Sequence, residues 1–140
     1  MQLSARNQWP GRVEEITDGV VTSEVEVALD GGQRVVATVT TDSVRRLALA
    51  AGSPLVVLVK ASSVILSAGR PGRISARNQL EGHVTRVERG AVQAVVTLET
   101  VGGQEVTATL TLGSLDALGL AEGSAATALF KASHVILAAD

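Results

Sequence analysis

Sliding the chain over itself by 71 positions lays Ser4-Ala5-Arg6-Asn7-Gln8 on Ser75-Ala76-Arg77-Asn78-Gln79 and Lys60-Ala61-Ser62 on Lys131-Ala132-Ser133, and the register never slips between them. About 30 of some 64 aligned pairs are identical, so a whole folding unit is written twice and a short solenoid period is excluded. The duplication predicts a first unit over residues 1–67, a Gly- and Pro-bearing linker over 68–74 and a second unit over 75–140. Units of about 65 residues have small cores and often rely on partners or oligomerisation.

Within each copy the apolar period is mostly two. Val21, Ser23, Val25, Val27 and Leu29 alternate with polar neighbours, as do Val35, Ala37 and Val39, which predicts half-buried strands. Asp30-Gly31-Gly32-Gln33 between them, echoed by Gly102-Gly103, is hairpin chemistry. Val44, Leu47 and Ala48 fall at helical spacing and predict a short helix running to Gly52, matched by Leu115, Leu118 and Gly123. Two further apolar runs, at 55–59 and 64–66, bring the count to five strands with a helix between the third and fourth. That order suits an all-β chain of two tandem OB-like five-stranded Greek-key barrels, each with one short helix.

Composition removes several function classes. Aromatic residues make up 1% and cysteine is absent, which excludes base-stacking platforms and thiol chemistry. The two histidines, His83 and His134, stand far apart in sequence without ligand-like neighbours, so no free metal cation site is expected. A formal charge of −2 argues against nucleic acid as a partner. No apolar run exceeds strand length, so no membrane partner is expected, and the N-terminal segment lacks an apolar signal core, which predicts a cytoplasmic location.

Of the 12 basic residues ten are arginines, and the two lysines, Lys60 and Lys131, occupy the same position in the two copies. Simple inheritance from an ancestral copy would explain a strand-end lysine. A point charge aimed at an anion would explain it too, because each lysine is followed by Ala-Ser and offers an ammonium, a hydroxyl and backbone N–H groups within three residues. The Ser-Ala-Arg-Asn-Gln block adds a hydroxyl, a guanidinium and an amide, although as an isolated string it would read as a solvated strand start. Thr40-Thr41-Asp42-Ser43, matched by Thr111-Leu112-Gly113-Ser114, precedes the helix, where hydroxyls usually serve as N-caps.

Donors are therefore plentiful and bases scarce. His134 aligns with Ser63 and His83 with Arg12, while Asp42 aligns with Gly113 and Glu14 with Thr85, so neither copy repeats a base beside a nucleophile. A binding protein is expected and not an enzyme. An OB-type interaction module for another anionic ligand or a protein partner is the alternative.

At these residues the sequence resembles the Mop family of molybdate-binding proteins in its duplicated, di-Mop form. The resemblance covers both copies through Ser-Ala-Arg-Asn-Gln, the Thr-x-x-Ser at 40–43 and 111–114, and Lys-Ala-Ser. It implies OB-like units, a homo-oligomer of three di-Mop chains, and oxyanion sites between units. The ligands it implies are Ser4, Arg6, Thr40, Ser43, Lys60, Ala61 and Ser62, with Ser75, Arg77, Thr111, Ser114, Lys131, Ala132 and Ser133 in the second copy. The implied ligand is molybdate, or tungstate, with no cofactor. The copies depart from each other where Ser63 becomes His134 and Trp9 becomes Leu80. Related Mop pairs occur fused to a DNA-binding or transporter-ATPase domain; with no residues left over for either, a stand-alone buffer or storage protein is the expectation. Chemically the fit is direct: a tetrahedral dianion with four acceptor oxygens is satisfied by a dry pocket of hydroxyls, N–H groups and one or two fixed cations.

Overall fold

The computed structural model describes residues 2–140; Met1, which opens the expected first unit, lies outside them. The first copy runs β1 (Asn7–Thr17), β2 (Thr22–Leu29), β3 (Arg34–Thr40), α1 (Thr41–Arg46), β4 (Pro54–Val59), a 3₁₀ turn at Ala61–Ser63 and β5 (Ile65–Ala68). The second repeats the order as β6 (Asn78–Arg89), β7 (Gln93–Thr100), β8 (Glu105–Thr111), α2 (Leu112–Leu118), β9 (Ala125–Phe130), a 3₁₀ turn at Ala132–His134 and β10 (Ile136–Ala138). No helix is long and apolar enough to cross a membrane among the described residues.

The period-two rows fold as their spacing demands. Ser23, Val25, Val27 and Leu29 point into the core while Glu24 and Glu26 stay at the surface. Val21 does not join that row: it precedes the strand in a bend, 73% exposed, and its carbonyl accepts the Thr41 N–H instead. β1 is long enough to serve two neighbours, pairing with β4 over its first half and β2 over its second. A bulge between Val13 and Glu15 marks the bend that curls the sheet, and β6 repeats it between Val84 and Arg86.

Both sheets have five strands, but the fifth strand of each comes from the other copy. The orders are β10-β4-β1-β2-β3 and β5-β9-β6-β7-β8. Ile136, Leu137 and Ala138 pair with Leu58, Val57 and Val56, and Ile65 to Ala68 pair with Leu129 to Ala126. Each copy's last apolar run, expected from the sequence to complete its own five strands, instead completes the sheet of the other copy. The two runs are nearly the same string, Val-Ile-Leu, so either can pair with either sheet edge, and exchange puts the covalent link between copies to structural use.

Further contacts join the copies. The Asn7 amide donates to the Thr107 carbonyl at 2.9 Å and accepts the Thr107 N–H at 2.7 Å. Asn78 makes the matching pair with Val36, at 2.9 and 2.8 Å. Each asparagine thus pairs, as a neighbouring strand would, with one residue on the outward side of an edge, β8 or β3. The Trp9 indole N–H adds a bond to the Glu105 carbonyl at 2.9 Å, and its ring lies 5.7 Å from that of Phe130, inside a core to which both copies contribute. The two hairpin tips also touch: a Cβ on Gly31, whose φ is +96°, would lie 2.1 Å from the Gly102 carbonyl oxygen, so only glycine fits there.

The helices are shorter than the spacing predicts. α1 gives way at Leu47 and Ala48 takes φ +51°, while in the second copy Gly119 takes φ +63° at the equivalent position. A left-handed residue there ends the helix, and Gly52 and Gly123 belong to the next turn, where their N–H groups donate to Val13 and Val84. Ala48 therefore carries a Cβ in a conformation that favours glycine. Ala48→Gly should stabilise the protein by up to about 1 kcal/mol and Gly119→Ala should destabilise it by about as much, in urea unfolding. Asn7→Ala and Asn78→Ala each leave a backbone N–H and C=O without their partner and should each cost about 2 kcal/mol or more by the same measurement.

Candidate functional site

The β1–β4 ladder pairs Asn7 with Val59, and one step beyond that pair the same register carries Arg6 toward Lys60. Strand alternation sends Val59 and Asn7 inward and leaves Lys60 and Arg6 exposed. Behind Lys60 the chain turns at once into the 3₁₀ turn, closed by Ser63 N–H to the Lys60 carbonyl at 2.9 Å, with small, buried Ala61 at its start and Ser62 exposed. These groups line one groove of about 670 Å³ that contains Ser4, Ala5, Arg6, Lys60, Ala61 and Ser62 of the first copy, with Gln93 and Thr109 of the second. Neither Arg6 nor Lys60 has a carboxylate partner among the described residues. Two cations and two exposed hydroxyls make a surface that can bind an anion.

The second copy repeats the framework. Asn78 pairs with Phe130, which carries Arg77 toward Lys131, and the turn at Ala132–His134 closes with His134 N–H donating to the Lys131 carbonyl at 3.0 Å. Ser75, Arg77, Lys131 and Ser133 are exposed and Ala132 is buried. Here, however, the guanidinium is engaged: Arg77 donates to both carboxylate oxygens of Glu24, each at 3.3 Å.

The hydroxyls before the helices do the work their position predicts. Thr40 Oγ1 accepts the Ser43 N–H at 3.1 Å and lies 2.7 Å from the Ser43 hydroxyl; Thr111 and Ser114 repeat the arrangement at 3.1 and 2.9 Å. They are N-caps. Thr111 and Ser114 line a second groove, of about 480 Å³, beside Ile65 and Leu66 of β5, and not the groove of Lys60. The two grooves meet at Thr109, which lines both. Thr109 was not singled out in the sequence, although a signal exists, since it matches Thr38 across the duplication and stands two residues before Thr111 on one strand face.

The Ser-Ala-Arg-Asn-Gln block divides into two functions. Ser4 and Arg6 face the groove, whereas the Asn7 amide, one of the block's hydrogen-bond donors, is 1% exposed and spent on Thr107. Gln8 donates to the Leu3 and Ala5 carbonyls and braces the lead-in segment.

Comparison with known proteins agrees with this geometry. Residues 3–66 and 74–137 each match the TOBE domain. A solved structure described as the cytoplasmic molybdate-binding protein ModG, with molybdate bound, superimposes with a TM-score of 0.96 at 45% identity, covering 100% of both chains. Among curated proteins, the molybdenum transport protein ModE of Herbaspirillum seropedicae is 49% identical and the molybdenum-pterin-binding protein MopA of Rhodobacter capsulatus 47% identical, each over 99% of this chain and 52% of the relative. The DNA-binding transcriptional dual regulator ModE of Escherichia coli is 36% identical over the same span. The chain spans about half the length of these curated relatives. The relatives that share this paired β architecture are described as molybdate- or molybdenum-pterin-binding, molybdenum-transport and DNA-binding regulatory proteins. The chain belongs to the TOBE-domain family, as a tandem pair of the di-Mop type.

The caps can be tested without any ligand. Thr40→Ala and Thr111→Ala should each lower stability by about 1 kcal/mol in chemical unfolding, because each leaves a first-turn N–H without its acceptor.

Proposed function

We propose that this chain binds molybdate, or tungstate, and stores or buffers it in the cytoplasm without catalysing a reaction. The observation that carries the reading is the groove in which Lys60 and Arg6, neither held by a carboxylate, stand with the Ser4 and Ser62 hydroxyls. A tetrahedral dianion has the charge and the four acceptor oxygens that this donor set lacks. The second set is Ser75, Arg77, Lys131, Ala132 and Ser133. Thr40, Ser43, Thr111 and Ser114 are proposed to contribute their hydroxyls from the helix starts, and Thr109 joins them as a bridge between the grooves. The relative described as a cytoplasmic molybdate-binding protein, matched over its whole chain, supports the ligand and the location.

The sites are proposed to be completed by neighbouring chains in a homotrimer. Leu3 and Ile74, and Ile65 and Ile136, are matched pairs in the duplication, and all four are about half exposed. Leu3 and Ile136 border the Lys60 groove itself. Large apolar side chains held at equivalent surface positions in both copies suit burial between chains, which would also remove water from the oxyanion and strengthen each bond to it.

Calorimetry should show molybdate and tungstate binding far more tightly than phosphate, whose protonated form near neutral pH carries less charge and presents a donor to a pocket rich in donors. Sulfate, which carries no such proton, should also bind far more weakly, and equal affinity for all four anions would refute the reading. Native mass spectrometry should find a particle of about 43 kDa, three chains of 14.3 kDa. Lys60→Ala and Arg6→Ala should weaken the same subset of sites by roughly tenfold to a hundredfold, because they share a groove, and Lys131→Ala and Arg77→Ala should weaken the other subset. Full stoichiometry at unchanged affinity in Lys60→Ala/Lys131→Ala would show that the lysines are relics of the duplication.

A further inference from the structure

The two arginines of the repeated block sit on the same framework and meet different charges. Asn78 holds β3 at Val36, which pairs with Glu26 of β2, and from there Arg77 reaches Glu24. In the other half Asn7 holds β8 at Thr107, which pairs with Thr97 of β7, and Arg6 shares a recess with Val95 and Thr97. Val95 is the residue that matches Glu24 across the duplication, and Thr97 matches Glu26.

The difference extends to the neighbouring strand. Glu15 is directly opposite Glu26, and Thr17 opposite Glu24, so Glu15, Glu24 and Glu26 share the outward face beside Arg77. Among the described residues only Glu24 of the three has a cation partner, and that partner is Arg77; the nearby Glu14 is taken by Arg34. Around Arg6, Arg86 stands opposite Thr97, Glu88 is paired with Arg86, and Glu105 alone is left without a partner.

From this we infer that Glu24 makes the two oxyanion sites unequal: it competes with the ligand for Arg77, while Val95 leaves Arg6 free. The inference rests on the oxyanion reading above and deepens it. A dianion approaching Arg77 must displace the Glu24 carboxylate and then remain near Glu15 and Glu26, whose charges repel it. At Arg6 no carboxylate has to be displaced, Glu88 is held by Arg86, and one unpartnered carboxylate, Glu105, borders the recess where two, Glu15 and Glu26, stand beside Arg77. The protein therefore holds oxyanion in two affinity classes, a tighter one served by Arg6 and a weaker one served by Arg77. An exposed arginine–carboxylate pair gives up to about a fivefold effect, and like charges nearby add to it. Such a pair of classes lets one chain retain a reserve while exchanging a second pool as the free concentration changes.

The test is molybdate titration of the full chain by calorimetry and native mass spectrometry, with Glu24→Gln, Val95→Glu and Arg77→Ala. Glu24→Gln keeps the side-chain shape and removes the charge, and circular dichroism checks the fold of all three. The native chain should show two classes about fivefold apart, of which the weaker is the one impaired by Arg77→Ala. Glu24→Gln should tighten that class about fivefold and leave the other unchanged. Val95→Glu should weaken the tighter class, and raised salt should narrow the gap. A chain that binds molybdate in a single class, unmoved by Glu24→Gln and Val95→Glu, would overturn the inference and leave the oxyanion reading standing. A chain that binds no molybdate would overturn both.

Discussion

Neither half of this molecule can satisfy its own sheet edges. The outward hydrogen-bonding groups of β4 and β9 are met by β10 and β5 of the opposite copy, and one residue on each of β8 and β3, Thr107 and Val36, is met by the amide of Asn7 or Asn78. An unpaired edge is costly when buried and a hazard when exposed. Everything else follows from that mutual requirement. It brings the cores into one cluster, sets Trp9 against Phe130, and presses the hairpin tips together at Gly31 and Gly102.

The same exchange places the proposed binding groups. The lysines end β4 and β9, and each is followed by a turn that packs against the other copy, on β8 or on β3. Arg6 and Arg77 each come one residue before the asparagine that clasps the opposite edge, so the clasp also sets where the guanidinium reaches. Structural and proposed binding roles are thus interleaved residue by residue: in Ser-Ala-Arg-Asn-Gln, Asn is buried, Arg is exposed, and Gln holds the approach. Duplication preserved both roles together, which is why retention alone does not separate them.

On this shared frame the surfaces have diverged. Trp9 bonds the Glu105 carbonyl and Leu80, its counterpart, has no N–H to do the same. Glu24 pairs with Arg77 and Val95 leaves Arg6 without such a partner. The backbone register is common to both copies because bulges and ladder hydrogen bonds fall at matching positions. Outward side chains are under no such constraint, so they are where the copies differ.

Much was legible in the sequence because it depends on local chemistry. Period-two rows, the Gly-Gly hairpins, the hydroxyl caps and the pairing of the only two lysines with the repeat all report interactions between near neighbours in the chain, and the strands, turns and caps follow from them. Three things were decided only by the tertiary structure. The fifth strands cross over, and because both runs read Val-Ile-Leu their local sequence does not say which edge each one joins. The helices stop at Ala48 and Gly119 because the chain must turn there to reach the next strand, although apolar spacing continues beyond. Which arginine is free depends on a residue 53 positions away from Arg77, brought close by the clasp between copies. Local pattern determined the elements, and long-range edge pairing decided which charges those elements set side by side.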